Sequence, residues 1–439
     1  MKSKIILISV VLILIAGAAA AGFYYFWLGR PQVINFDNGD KLTLLGVDYG
    51  KRHVIPGAKS SAPAPRNGMQ NSKSFTTPND TLVVWLRLEH EPQQYPNYQF
   101  YIYDKAGTGC TEGQRNYFNN NGGQQSNEVF AIQFDAFPRH AGRLAMRVQG
   151  YVQNAGQVWA QEKFKFANPV NKSFSKWTPG PLPATKEDGG LTVTLDKFSF
   201  GVNSIGTRDQ DNPDDAINKG VSFAYHVEQN GKPVKNWEPA SIQTSDATGN
   251  SIYGGPSTQW QDNEGTTTYQ WGLWPDEAAW KVRLEFSKQS GYDENELWSV
   301  KNIPIQPGLR QDFWNYNGNR RDTNTVFAET DLNGIHLKVY PAKQFTDAPP
   351  NSQPQGGLTI SVKPSPPGGM RMNVTLTDGQ GGNVEYWNNG TWSDGKSTTY
   401  RYGLRDITGA TNLNLTIAMH QSHYFEFTVK PAVAAAAAP

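Results

Sequence analysis

Asp246-Ala247-Thr248-Gly249, Thr268-Tyr269-Gln270-Trp271-Gly272-Leu273 and Trp280-Lys281-Val282-Arg283-Leu284-Glu285-Phe286 succeed one another as a turn, an aromatic strand and an alternating strand. The same succession occurs twice more. Asp104-Lys105-Ala106-Gly107 precedes Val129-Phe130-Ala131-Ile132-Gln133-Phe134 and Leu144-Ala145-Met146-Arg147-Val148, and Asp378-Gly379-Gln380-Gly381 precedes Thr399-Tyr400-Arg401-Tyr402-Gly403-Leu404 and Leu413-Asn414-Leu415-Thr416-Ile417. The turn aspartates stand 142 and 132 residues apart. A period of that size reads as tandem β units, each large enough to bury a core.

Outward from these copies, each unit acquires an opening strand of period two: Leu42–Val47, Leu191–Leu195 and Ile335–Val339. Leu82–Leu88, Val221–Val227 and Leu358–Val362 follow as second strands. Phe164–Phe166, Leu297–Val300 and Phe425–Val429 read as closing strands, each soon followed by a proline, which cannot donate to a ladder. With no long amphipathic helix between strands, the expected fold is all-β: an N-terminal transmembrane helix followed by three tandem immunoglobulin-like antiparallel β-sandwich modules. The expected boundaries are 1–30 for the membrane anchor or signal segment, 31–170 for the first module, 171–188 for a Pro-rich linker and 189–306 for the second module. A linker over 307–329, a third module over 330–431 and a low-complexity tail over 432–439 complete the chain. Pro56–Asp80 reads as a long loop or hinge.

Ile5 to Leu28 carries no charge and is long enough to span a bilayer core. It is a retained anchor or a cleaved signal, since Ala18–Ala21 offer small-residue cleavage positions. Cleavage would leave an aromatic stub, Phe23-Tyr24-Tyr25-Phe26-Trp27, which suits an interfacial belt better. Lys2 and Lys4 place the N-terminus in the cytoplasm and the bulk of the chain outside, as a single-pass membrane protein, or a secreted one if the segment is removed.

Composition agrees with export. Charged residues make up 18% of the chain and aromatics 12%, which fits extracytoplasmic β units and not disorder. The formal net charge of +1 gives no argument for nucleic acid or an acidic surface as partner. The single cysteine, Cys110, forbids an internal disulfide, so the cores must hold the fold. Beside the first turn it reads as a small flanking residue, with an intermolecular bridge as the other reading.

Three groups of side chains are candidate sites. Trp260, Trp387 and Trp392, flanked by Asn, Gly and Asp, read as loop aromatics able to stack on sugar faces. Trp271 and Trp280 alternate with polar neighbours and read as core. Asp209, Asp211, Asp214 and Asp215 gather carboxylates in one loop, a source of several of the six to eight oxygens that calcium takes, although the EF-hand glycine and glutamate are missing; the other reading is a solvated acidic loop. Tyr292-Asp293-Glu294-Asn295-Glu296 is a second acidic loop. His420-x-x-His423 lacks the third ligand that catalytic zinc needs, and these two and His53 read as surface or turn residues.

No nucleophile elbow, phosphate-cradling loop or dinucleotide fingerprint is present in the sequence. Leu44-Leu45-Gly46-Val47-Asp48-Tyr49-Gly50-Lys51-Arg52-His53 and Phe137-Pro138-Arg139-His140-Ala141-Gly142 resemble strings in exported bacterial proteins. That resemblance covers the first unit, implies export and assigns no activity or functional residue. The expected function is a non-enzymatic membrane-anchored binding or spacer protein of the envelope with a protein or polysaccharide ligand. The alternatives are carbohydrate binding through loop aromatics and a hydrolase with a site at a module interface.

Overall fold

The computed structural model describes residues 32–433 apart from 57–73, 91–96, 105–108, 119–126, 152–157, 171–172, 203–219, 235, 255–256, 260–265, 311–312, 314–324, 349–353, 406 and 408. The Ile5–Leu28 segment, Asp209, Asp211, Asp214, Asp215 and Trp260 lie outside the described residues. Among the described residues no helix is long and apolar enough to cross a membrane.

The described chain is all-β, with strands that alternate inward apolar and outward polar residues. In chain order the first unit contains β1 (Lys41–Val54), β2 (Ser74–Glu89), β3 (Asn97–Tyr103), β4 (Asn127–Phe134), β5 (Arg143–Tyr151) and β6 (Val158–Ala167). One sheet pairs β1, β2 and β4; the other pairs β3, β5 and β6. Leu82, Val84, Leu86 and Ile132 from one sheet meet Phe100, Ile102, Met146 and Phe164 from the other, all at most 1% exposed. The result is sandwich-like, with one buried face per sheet. Ser74–Asp80, read as loop from sequence, already belongs to β2.

The second unit repeats this pairing with β7 (Leu191–Val202), β8 (Gly220–Gln229), β9 (Trp237–Asp246), β10 (Thr266–Trp271) and β11 (Trp280–Lys288). Again β7, β8 and β10 form one sheet, and β9 pairs with β11 in the other. The next strand, β12 (Leu297–Gly308), does not close this unit. It pairs with β18 (Asn412–Gln421), which also pairs with β15 (Met370–Asp378). The remaining strands of the third unit are β13 (Ile335–Val339), β14 (Gly356–Lys363), β16 (Tyr386–Ser393) and β17 (Thr398–Leu404), which form its other sheet in the order β13, β14, β17, β16.

The strand that closes the second unit is β19 (His423–Val429), antiparallel to β11 from Trp280↔Val429 to Phe286↔His423. Both closing assignments made from sequence are therefore exchanged. Leu297–Val300 serves the third unit and Phe425–Val429 returns to the second. The physical reason lies in the inward faces: Phe425 and Phe427 pack with Leu284, Val282 and Phe286, whereas Val300 and Ile303 pack with Leu413, Leu415 and Ile417. Strand alternation alone does not say which of two neighbouring cores receives a strand. The third unit thus sits in the sequence between the last two strands of the second, and the chain crosses their junction twice.

The segments between units also pack. Ala184–Asp188 pairs with β7, and Gly180 N donates to Thr428 O at 2.7 Å. Ala432–Val433, read as tail, runs parallel to Ser199–Phe200 of β7. Phe313 lies over Gly357 and 5.3 Å from the Phe345 ring. Units one and two share a continuous core, while the third has its own.

Candidate functional site

Two of the repeated turns are built alike. Asp246 Oδ1 accepts from Thr248 N (2.8 Å) and Asn250 N (3.1 Å), as Asp378 Oδ1 does from Gln380 N (2.9 Å) and Gly382 N (2.7 Å). The glycine in each, Gly249 or Gly381, has φ near +92°, the left-handed region a side chain disfavours. They are used differently. The third unit's turn faces solvent, whereas the second unit's turn docks onto the first unit. There Asn250 Oδ1 accepts from Phe137 N (3.1 Å) and Arg139 Nε (2.9 Å), and Asn250 Nδ2 donates to Phe137 O (2.9 Å). Buried Arg139 also donates to Thr248 O (3.0 Å) and Tyr49 Oη (2.8 Å). Tyr49 and Arg139, one from each of the two strings singled out in the sequence, meet at this junction.

Beside them His140 Nε2 lies 3.4 Å from Glu277 Oε2. Burial, helped by the Asp246 and Asp276 charges and opposed by His140, pushes the Glu277 carboxyl up to about 7. The unfolded side chain titrates near 4.5, so between these values the folded state binds more protons and stability falls as pH rises through 7. Glu277→Gln should raise stability at pH 8 by on the order of 2 kcal/mol and change little at pH 4.5. Denaturant titrations at the two pH values check this; an equal effect at both would remove the charge from the account.

At the second junction the outward face of β9, β11 and β19 meets a turn of the third unit. Register places Ser241, Glu285 and Tyr424 in one row and Tyr253, Gln243, Arg283 and Glu426 in the next. Their neighbours Ile242, Leu284 and Phe425 point into the core. These residues other than Glu426, together with Gly368, line a pocket of about 290 Å³. The Arg283 guanidinium carbon stands 4.2 Å from the Tyr424 ring centre, and Tyr253 is 68% exposed at the rim. Gly369, at φ +88°, backs Tyr424 so closely that a Cβ there would lie 2.9 Å from Cε2 of the ring.

Below this surface Glu285 is buried and held by Arg371 of β15, with Nε to Oε1 at 2.7 Å and a second bond from Nη2 to Oε2. Ser241 Oγ donates to the same carboxylate at 2.6 Å. Burial raises the carboxyl's pKa, but Arg371, Ser241 and Ser422 outweigh it and bring it down to about 2. Glu285 is thus a fully engaged structural charge. Asn373 Nδ2 donates to Lys288 O (3.0 Å), and Lys288 N donates to His420 Nε2 (3.1 Å), so the junction is polar and bonded across its width.

The candidates read from sequence fall elsewhere. Trp387 and Trp392 lie in β16 and not in a loop. A bulge between Asn388 and Gly390 brings both to one face, shared with their strand partners Gly403 and Thr399. Trp392 is exposed, while Trp387 covers Gly403 and has the Arg405 guanidinium 5.8 Å from its ring. Trp280 is fully buried, and the side chain of Trp271 lies outside the described set. Asp293 and Glu296 of the second acidic loop are bound by Lys288 at 3.4 and 2.9 Å. His420 is not a surface residue: it is 1% exposed beneath Trp237 and Tyr292. His423 bonds Asp188 at 3.0 Å. Among the described residues no group of three or more potential ligands could hold a metal. His53 is buried as well, held between Asp48 Oδ1 and Thr77 Oγ1, whose hydroxyl donates to Asn79 O at 2.7 Å. Cys110 sits in a short strand opposite Ile102, and burial pushes its thiol up to about 12, leaving little thiolate for exchange.

Arg283, Tyr424 and Tyr253 were not among the sequence candidates. Alternation in Trp280–Phe286 marks Arg283 and Glu285 as outward, but Tyr424 becomes their neighbour only through the exchanged closing strand. No family model matches the chain, and no curated protein is significantly similar to it.

Proposed function

We propose that the chain is a non-enzymatic, membrane-anchored extracytoplasmic binding protein of the bacterial envelope, in which three immunoglobulin-like sandwiches form a stiff array. The observation that carries this reading is the construction of the junctions. Asn250 and Arg139 lock the first to the second unit, and two chain crossings with the Arg371–Glu285 pair lock the second to the third. Buried polar contacts of this kind favour one relative orientation, which suits holding a binding surface away from a bilayer. The immunoglobulin-like assignment is supported by the threefold reuse of one pairing scheme across two packed sheets.

The test is retention of the full chain's partners from envelope extracts and from a polysaccharide panel, with the panel assayed for cleavage. Saturable retention without cleavage is the expected result. Turnover of any retained polysaccharide would overturn the non-enzymatic part, and retention of nothing would overturn the binding part.

A second reading, binding of a polysaccharide chain, is favoured by the common face of Trp387 and Trp392. Their strand partners Gly403 and Thr399 are about 13 Å apart at the usual strand rise, so the two rings would touch different parts of an extended ligand. Replacing both tryptophans with alanine should abolish polysaccharide retention while the melting temperature shifts by no more than about 3 °C. Unchanged retention would reject this surface.

A further inference from the structure

We propose that the pocket formed by Arg283, Tyr424 and Tyr253 binds an acidic monosaccharide unit, a hexuronate, through its carboxylate. This deepens the reading of the chain as a binding protein and rests on it. Among the described residues the Arg283 guanidinium sits against the Tyr424 ring and makes no side-chain hydrogen bond or ion pair. With the guanidinium carbon 4.2 Å from the ring centre and its N–H groups unbonded, the side chain suits bidentate capture of a carboxylate. Gly369 approaches the same ring closely, a Cβ there falling 2.9 Å from Cε2, so the ring beside the cation is itself packed.

The surrounding charges favour an anion. Glu285 is neutralised by Arg371, and Glu426, opposite Arg283 in the register, is bound by Lys281 at 3.0 Å. The remaining uncompensated charge facing the pocket is that of Arg283. Gln243 uses its Nε2 on Ser251 (2.9 Å), which leaves the amide oxygen to accept from a sugar hydroxyl. Tyr253 offers an exposed ring at the rim for the apolar face of a pyranose. A volume of about 290 Å³ lies at the lower end of small-molecule sites, room for a ring-sized ligand.

Gly368 supplies an independent handle. Gly368 lines the pocket and a Cβ built there meets nothing within 4 Å, so the position accepts a side chain, and Gly368→Leu is expected to narrow the pocket. The experiment is calorimetric titration of the full chain with D-glucuronate, D-glucose and inorganic phosphate in parallel. Saturable glucuronate binding of roughly millimolar strength is expected, with glucose and phosphate at least tenfold weaker. Arg283→Gln should weaken glucuronate at least tenfold, and Gly368→Leu should do the same. The melting temperature of each variant without ligand verifies its fold.

Equal affinity in Arg283→Gln would overturn the proposal, as would the absence of glucuronate binding. Phosphate binding as tightly as glucuronate would reduce the site to a general anion contact and likewise reject the hexuronate assignment. If glucuronate fails while the chain still retains an envelope partner, this proposal falls and the binding-protein reading stands. If both fail, both fall.

Discussion

Replacing Asn250 with alanine should cost the folded chain about 3–5 kcal/mol, because the change strands several buried groups at once. Asn250 is fully buried, and its amide satisfies both the N–H and the C=O of Phe137 as well as Arg139 Nε and Asp246 Oδ2. Alanine removes every one of these partners and leaves a space too enclosed for free solvation. A conservative Leu→Ile change at an equally buried core position would leave all of them paired, so the size of the loss separates polar satisfaction from packing. The third unit is an internal reference, since its core is separate from the one shared by units one and two. Amide exchange at Ile132 and Leu284 should accelerate while exchange at Ile360 and Ile417 stays near its original rate. Uniform acceleration throughout would mean that the Asn250 cluster acts on the whole array and not on the first junction.

That cluster also shows where reading a sequence stops. The Asp-x-x-Gly turn was legible from Asp246 and Gly249, because an aspartate that accepts from two following amides and a glycine at positive φ are local requirements. What the turn packs against was not legible. Asn250 and Arg139 are separated by more than a hundred residues, and neither residue type differs from those in ordinary loops. The strands were legible for the same local reason, as Leu191, Val193 and Leu195 alternate with threonines whichever sheet receives them. The exchange of closing strands was not, since the expectation that neighbours in sequence pair in space fails where one unit is inserted into another. Trp387 and Trp392 give a smaller example: their Asn- and Gly-rich flanks read as a loop, yet those residues form the bulge that lets a strand turn both rings to one side. The metal reading of the acidic loop at Asp209–Asp215 concerns residues outside the described set. The Arg283 surface was half visible, as an outward arginine with no assigned neighbour.

Removal of Arg371 should be the second most costly single change, at about 2–4 kcal/mol near pH 7, and the loss should depend on pH. Glu285 is buried on β11, and Arg371 reaches it from the third unit. Without that cation the carboxylate keeps its serine neighbours, Ser241 and Ser422, but loses its compensating charge, and a buried uncompensated charge is expensive. Arg371 is about 40% exposed, so water can enter the vacated space, which keeps the cost below that of a sealed pair. The sign with pH follows from the direction of the shift. Glu285 is held near 2 in the folded chain against about 4.5 unfolded, so its stabilisation is fully present above 4.5 and is lost as pH falls toward 2. In Arg371→Ala the carboxyl instead titrates above its unfolded value, and stability declines as pH rises. The difference between wild type and variant should therefore be widest at pH 7 and shrink on acidification to pH 4. Glu285→Gln should cost less, because the arginine it leaves behind can turn to solvent. Denaturant titrations of both single variants and the double variant at the two pH values measure this asymmetry. Equal costs for the two single variants, unchanged between pH 7 and pH 4, would show that shape and not charge holds the second junction together.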